Sequence, residues 1–419
     1  MYFSAAVITS VLGVSSLVSA LPMQSRANKT TPKGTKMMTS ETKLDAAGAA
    51  YFITNEGDRN LVVAASINSD GTLNLDRAVV THGSGAHGIT DPNGPDALFS
   101  QGAIKASAKG QVLATVNAGS NTVSLFSINP KTPTEISLIG NPVSSGGEFP
   151  MSLAFNADGT RLCTLNGGSV NGVACFTVNK KTGLSPIANS VRSLNLNQTT
   201  PATGPAGSAS HIIFSEDGKQ LMASVKGVPP TPGFIALFDV KDDGSLSADF
   251  KKVAPPGNGA LPFSMTLIPG KNAVLSTDPA VGFDVFDLSG NSSSAVKING
   301  QSATCWSSLS KKTGNFYLTD IGTSIVTEVK VDNNLKASIV AQYNQTKNSA
   351  TIDNDVATIN GKDFLYVLAP NTTSIEILSL ESAGNAKHIS TLDIAGPTKA
   401  AGITISQFNL QGMTTFVTQ

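Results

Sequence analysis

Apolar and polar residues alternate along this chain in short runs, broken by Gly, Asn, Asp and Pro. Runs such as VSLFSI (from Val123) and EVKV (from Glu328) have the period of two that marks half-buried strands. One unit recurs about seven times: a strand, a short polar turn, a second strand and another polar turn. Its copies begin near Tyr51, Val112, Arg161, Gln220, Ala273, Asn315 and Asp363. The residues at the first turn are Asn55, Asn117, Asn166, Val225, Asp278, Asp320 and Ala369, spaced 42 to 62 residues apart. A repeat of about 40–50 residues holding several strands predicts a β-propeller.

A further strand precedes most of these hairpins. It is clearest in PMSLAFNADGTRL from Pro150 and SHIIFSEDGKQL from Ser210, where Asp-Gly pairs favour tight turns. The blade is therefore predicted as four antiparallel strands. The first copy lacks its own inner strand, and AGITISQFNLQGMTTFVTQ at the end of the chain follows the seventh hairpin. The predicted fold is an all-β, seven-bladed propeller over residues 48–419, closed by C-terminal strands that complete the first blade. Closure protects the sheet edges.

Composition agrees and narrows the function. Only 14% of the 419 residues are charged, with 29 cations against 29 anions, so the net charge is zero. A nucleic-acid binder would show a basic excess, and a disordered chain would be poorer in apolar residues. Gly at 39 and Pro at 21 fit a chain dense in turns.

The apolar run from Ala5 to Val18, followed by Val18-Ser19-Ala20, reads as a secretory signal over residues 1–20. It is shorter than the roughly 18–20 residues of a membrane span. Residues 21–47 are polar and aperiodic and read as a flexible leader. Glycosylation acceptors at Asn28, Asn197, Asn291, Asn344 and Asn371 agree with export. A secreted, extracellular or cell-wall protein, monomeric and without a membrane span, is the expectation. Of three cysteines, Cys163 and Cys175 lie on neighbouring strand-like runs and either bridge them or remain two buried thiols; Cys305 is left over. No metal or organic cofactor is expected.

The repeat text itself carries a family likeness. Ser100 to Ile128 (SQGAIKASAKGQVLATVNAGSNTVSLFSI), Ser144 to Gly168 (SSGGEFPMSLAFNADGTRLCTLNGG) and the Cys305-Trp306 blade from Thr304 to Val329 resemble the seven-bladed lactonase-like propellers. These include 6-phosphogluconolactonases and 3-carboxymuconate cyclases. The resemblance is strongest to secreted fungal members, some of them cell-wall glycoprotein antigens. It implies a propeller whose chemistry, if any, sits in the central funnel.

A funnel site would be built from residues where the inner strands begin. These are Gln101, Glu148 with Phe149, His211, Phe263, Trp306, and Asp353 with Asp355. By the resemblance, His211 is an acid/base or substrate-binding group; Glu148, at the same place one blade earlier, is placed to orient it or share the proton work. Gln101, Phe149, Phe263, Trp306 and Asp355 are the substrate-binding candidates. The five arginines, Arg26, Arg59, Arg77, Arg161 and Arg192, all lie away from these positions, and among the lysines only Lys226 and Lys399 are candidates for the funnel. That shortage favours a binding role: an adhesin-like surface protein for a host matrix protein, a glycan or a wall component, with no nucleic acid involved. The alternative is a secreted lactone hydrolase or carboxymuconate-type cycloisomerase whose partner is a small lactone.

Overall fold

The structure is a computed structural model that describes residues 35–36, 46–89 and 93–417. The expected signal segment, most of the leader and the Asn28 acceptor lie outside the described residues.

Seven antiparallel sheets follow one another around an axis. Blades two to seven each run outward in chain order, as the fourth does with Ala209–Phe214, Gln220–Val225, Phe234–Asp239 and Lys251–Val253. The first blade is different. Its inner strand is Gln411–Val417, paired antiparallel with Gly48–Ile53, so the end of the chain closes the ring as expected. Close approach is needed at this seam: a Cβ on Gly48 would lie 2.4 Å from the Phe416 carbonyl oxygen. Each inner strand touches those of the two flanking blades, all the way round. Among the described residues helix is confined to Ala395–Ala400 and one 3-10 turn, and no helix is long and apolar enough to cross a membrane.

The turn residues of the repeat fall at one structural position. Asn117, Asn166, Val225, Asp278, Asp320 and Ala369 each end the second strand of a blade, and Asn55 lies just past it. The leader is not wholly separate from the propeller, since Thr35–Lys36 pairs with the outer strand of the first blade, Leu73–Val80. Cys163 and Cys175 face each other across adjacent strands and form a disulfide, with S–S 2.00 Å. Cys305 is buried and free.

The mouth where the inner strands begin, here the upper mouth, is packed shut. Phe149, Phe263 and Trp306 are buried there. Phe263 meets Trp306 edge-on at 5.1 Å, and the Lys226 ammonium lies 4.5 Å from the Phe263 ring centroid. The Gly-rich loop after Thr81 folds over this end. Its Phe99 carbonyl accepts from Lys226 Nζ at 2.7 Å, and its Ser100 carbonyl from Trp306 Nε1 at 3.0 Å. Gln411, on the closing strand, locks the loop to the seventh blade. Its Nε2 lies within 3.1 Å of Asp96 Oδ1, Asp353 Oδ2 and the Ser100 carbonyl. Replacing Gln411 with Leu should lower stability by about 2–3 kcal/mol, because buried carboxylate oxygens lose a donor. Urea denaturation measures this, and an unchanged midpoint would refute the lock.

Candidate functional site

The cavity of this propeller opens at the other end. A pocket of about 560 Å³ runs up the axis, lined by the inner strands of blades two to seven and the turns at their far ends. Its rim residues Ala157, Glu216, Pro269 and Lys311 are exposed. Its deep end is formed by Gln101, His211, Ser307, Ser308 and Asn354, all buried, with half-buried Lys105 and Asp355 beside them. The expectation that the funnel opens where the inner strands begin is thus corrected. Bulky aromatic residues and the loop after Thr81 fill that end, while small residues such as Ala106 and Ala154 line the axis below.

Gln101 is the ceiling of the cavity. Its amide reaches across to the sixth blade, donating to the Ser307 carbonyl at 2.9 Å and accepting from the Ser307 N–H at 3.0 Å. Next to it Gly102 adopts φ +90°, and a side chain there would press on Ser152 Oγ and on the His211 ring.

His211 stands at a β-bulge, where the pairing register shifts between Ala209 and His211. The same irregularity recurs at Pro150/Ser152 and Thr304/Trp306. Such a bulge re-aims a side chain. Here it lets His211 Nδ1 accept the Met265 backbone N–H of the next blade at 3.0 Å. An acceptor at Nδ1 places the ring proton on Nε2. That Nε2 is buried and has no hydrogen-bond partner among the described residues. Burial, helped by the charge of Lys105, holds the imidazole pKa well below its usual value. His211 is therefore a neutral ring with one N–H donor in the cavity wall, rather than an acid/base group free to exchange its proton at either nitrogen.

Two other lining residues carry buried polar atoms without partners among the described residues, Ser308 Oγ and Asn354 Oδ1. Each such atom costs about 1–3 kcal/mol unless something bonds it. All three belong to residues that line the deep end of the cavity. Asp355 completes the deep end. Its Oδ2 accepts from the Thr415 N–H at 2.7 Å and the Thr415 hydroxyl at 3.0 Å. Burial raises its pKa, and Lys105 and the Thr415 bonds counter part of that rise.

Of the residues singled out in the sequence, Gln101, His211 and Asp355 come together here. Phe149, Phe263 and Trp306 are packing residues of the closed upper mouth. Glu148 is outside the cavity lining, and its carboxylate accepts from the Thr200 hydroxyl. Neither lysine expected in the funnel lines it: Lys226 is buried in the upper plug and Lys399 is exposed on the short helix. Lys105 went unnoticed in the sequence, although its place in the strand Ile104–Ser107 is the signal, a cation on an innermost strand. The described arginines serve the periphery. Arg77 pairs with Asp76, and Arg192 holds the Ser247 and Leu246 carbonyls.

By its fold the chain is a seven-bladed β-propeller with an axial pocket. Residues 42–196, which hold the first three blades apart from the closing strand, match the family model described as "Lactonase, 7-bladed beta-propeller". Solved structures agree on the fold. The periplasmic gluconolactonase of Pseudomonas aeruginosa superposes with TM-score 0.64 at 14% identity, over 89% of this chain and 99% of that one. A 6-phosphogluconolactonase, described as putative, from Bacteroides uniformis gives TM-score 0.61 at 17% identity, over 83% and 98%. No curated protein matches the sequence.

Proposed function

We propose that this protein is a secreted lactonase that hydrolyses a small lactone in the axial cavity. The observation that carries the reading is the meeting of Lys105, Asp355 and the unpartnered His211 Nε2–H in one pocket. The match of the first three blades to the lactonase family supports it. The shortage of arginine, which favoured a surface-binding role, loses its force because Lys105 and Lys311 bring cations to the cavity.

The chemistry follows from the groups present. The lactone carbonyl oxygen takes hydrogen bonds from His211 Nε2–H and the Lys105 ammonium, which strengthen as charge develops on it. Asp355 accepts a proton from water as the water oxygen bonds to the carbonyl carbon. The ring C–O bond then breaks, and the proton held by Asp355 passes to the departing ring oxygen. The product is an open hydroxy acid, whose carboxyl proton goes to solvent.

Export is part of the proposal. The apolar N-terminal run supports it, as do four exposed acceptors, Asn197, Asn291, Asn344 and Asn371. A disulfide at Cys163–Cys175 suits an oxidising compartment.

The test is lactone hydrolysis by the purified mature protein, followed as acid release. Turnover above background is expected, and Lys105→Gln should reduce kcat/KM by roughly tenfold, the worth of one charged hydrogen bond. Background rates for every lactone, with no binding of any, would overturn the reading.

A further inference from the structure

The axial cavity has a side chamber. A second hollow of about 410 Å³ lies between the turns of blades five and six, and it shares Pro269, Leu309 and Lys311 with the axial pocket. Its remaining walls include Ile268, Phe316 and Val331. The two hollows thus adjoin at these three residues, the axial one reaching the buried polar end and the second forming a mainly apolar recess beside its mouth.

The polarity across the two hollows is segregated. Lys105, His211, Ser308, Asn354 and Asp355 occupy the deep end. Below them the axial walls carry the half-buried apolar side chains Phe155, Ile213, Leu267 and Leu309. A polyhydroxylated sugar lactone would set its ring hydroxyls against those walls, and hydroxyls left without partners cost binding energy. An alkyl chain loses nothing there and gains with every methylene it buries.

We propose that the substrate is a lactone carrying an apolar chain, its ring carbonyl at His211 and Lys105 and its chain running past Leu309 into the chamber at Val331 and Phe316. The polar deep end, the apolar walls and the shared boundary of the two hollows each require a different part of such a molecule. This inference rests on the lactonase reading and specifies its substrate class. Lys311 stands at the junction with its ammonium at the rim, where it meets the carboxylate of the opened product as that leaves.

The experiment is a chain-length series on the whole mature protein: δ-valerolactone, δ-hexalactone, δ-octalactone and δ-decalactone, with glucono-δ-lactone as the hydrophilic comparison. Expected is a rise in kcat/KM of about three- to fourfold per buried methylene, with glucono-δ-lactone below δ-octalactone. In Val331→Asp the ratio of δ-decalactone to δ-valerolactone should fall at least tenfold. The wild-type series decides the matter even if that variant folds poorly. Hydrolysis of glucono-δ-lactone with no gain along the alkyl series would overturn this inference and leave the lactonase reading standing. Failure to hydrolyse any of the five would overturn both.

Discussion

His211→Ala is expected to lower kcat for lactone hydrolysis by about 10²–10³, the usual cost of removing one donor to a developing oxyanion. The size follows from what the side chain does here. Its Nδ1 is tied to the Met265 N–H at 3.0 Å, so Nε2–H is the only donor the ring can offer. His211→Asn should recover part of the loss, since its amide can accept from Met265 and still present an N–H to the cavity. The pH profile separates this role from general base catalysis. Burial holds the imidazole pKa well down, so the ring stays neutral through the working range. The acid limb then belongs to Asp355, whose pKa burial raises. Asp355 works as a carboxylate, so the rate is full above that raised pKa and falls as the pH drops through it. His211→Asn should keep the limb, and Asp355→Asn should lose activity at every pH. Wild-type kcat in His211→Ala, or an acid limb that moves in His211→Asn, would sink the assignment.

The propeller was readable from the sequence because its determinants are local. Strand alternation and the turn that ends each second strand, marked by a polar residue at Asn117, Asn166, Asp278 and Asp320, are set within a few positions. The closing strand was readable for the same reason, as a strand left over opposite one that was missing. The open end of the axis was not. It depends on Phe263, Trp306 and Lys226 stacking over one mouth, and these come from three different blades. The role of His211 was half visible. A lone histidine at the start of an inner strand drew notice, but its tautomer is set by a backbone N–H 54 residues further on. Glu148 drew notice for the equivalent position one blade earlier, yet its carboxylate binds Thr200 on a neighbouring loop. Equivalence along the repeat does not fix where a side chain points.

Asp284→Asn is expected to stabilise the protein, and the gain should grow with pH. Asp284 sits on Gly282–Asp287 in the fifth blade, wholly buried, with no hydrogen-bond donor to either carboxylate oxygen among the described residues. Burial first, and then the nearby Asp278, push its pKa up to about 9. Asp278 is already committed as an acceptor, taking the Ala260 and Leu261 N–H groups at 2.7 and 2.9 Å. In the unfolded chain Asp284 ionises near pH 4. Between about pH 4 and pH 9 the folded state therefore holds a proton that the unfolded state has released, and stability falls as pH rises. At pH 7 the accumulated cost is on the order of 3–4 kcal/mol. An asparagine of nearly the same shape never ionises, and its amide can donate to Asp278. The variant should match the wild type near pH 4 and exceed it by a few kcal/mol at pH 8, less whatever the new amide loses in packing. Thermal unfolding across pH 4 to 9 reads this directly. A gain that stays constant over that range, or a variant less stable than wild type at pH 8, would show that Asp284 is ionised in the fold and held by partners other than Asp278.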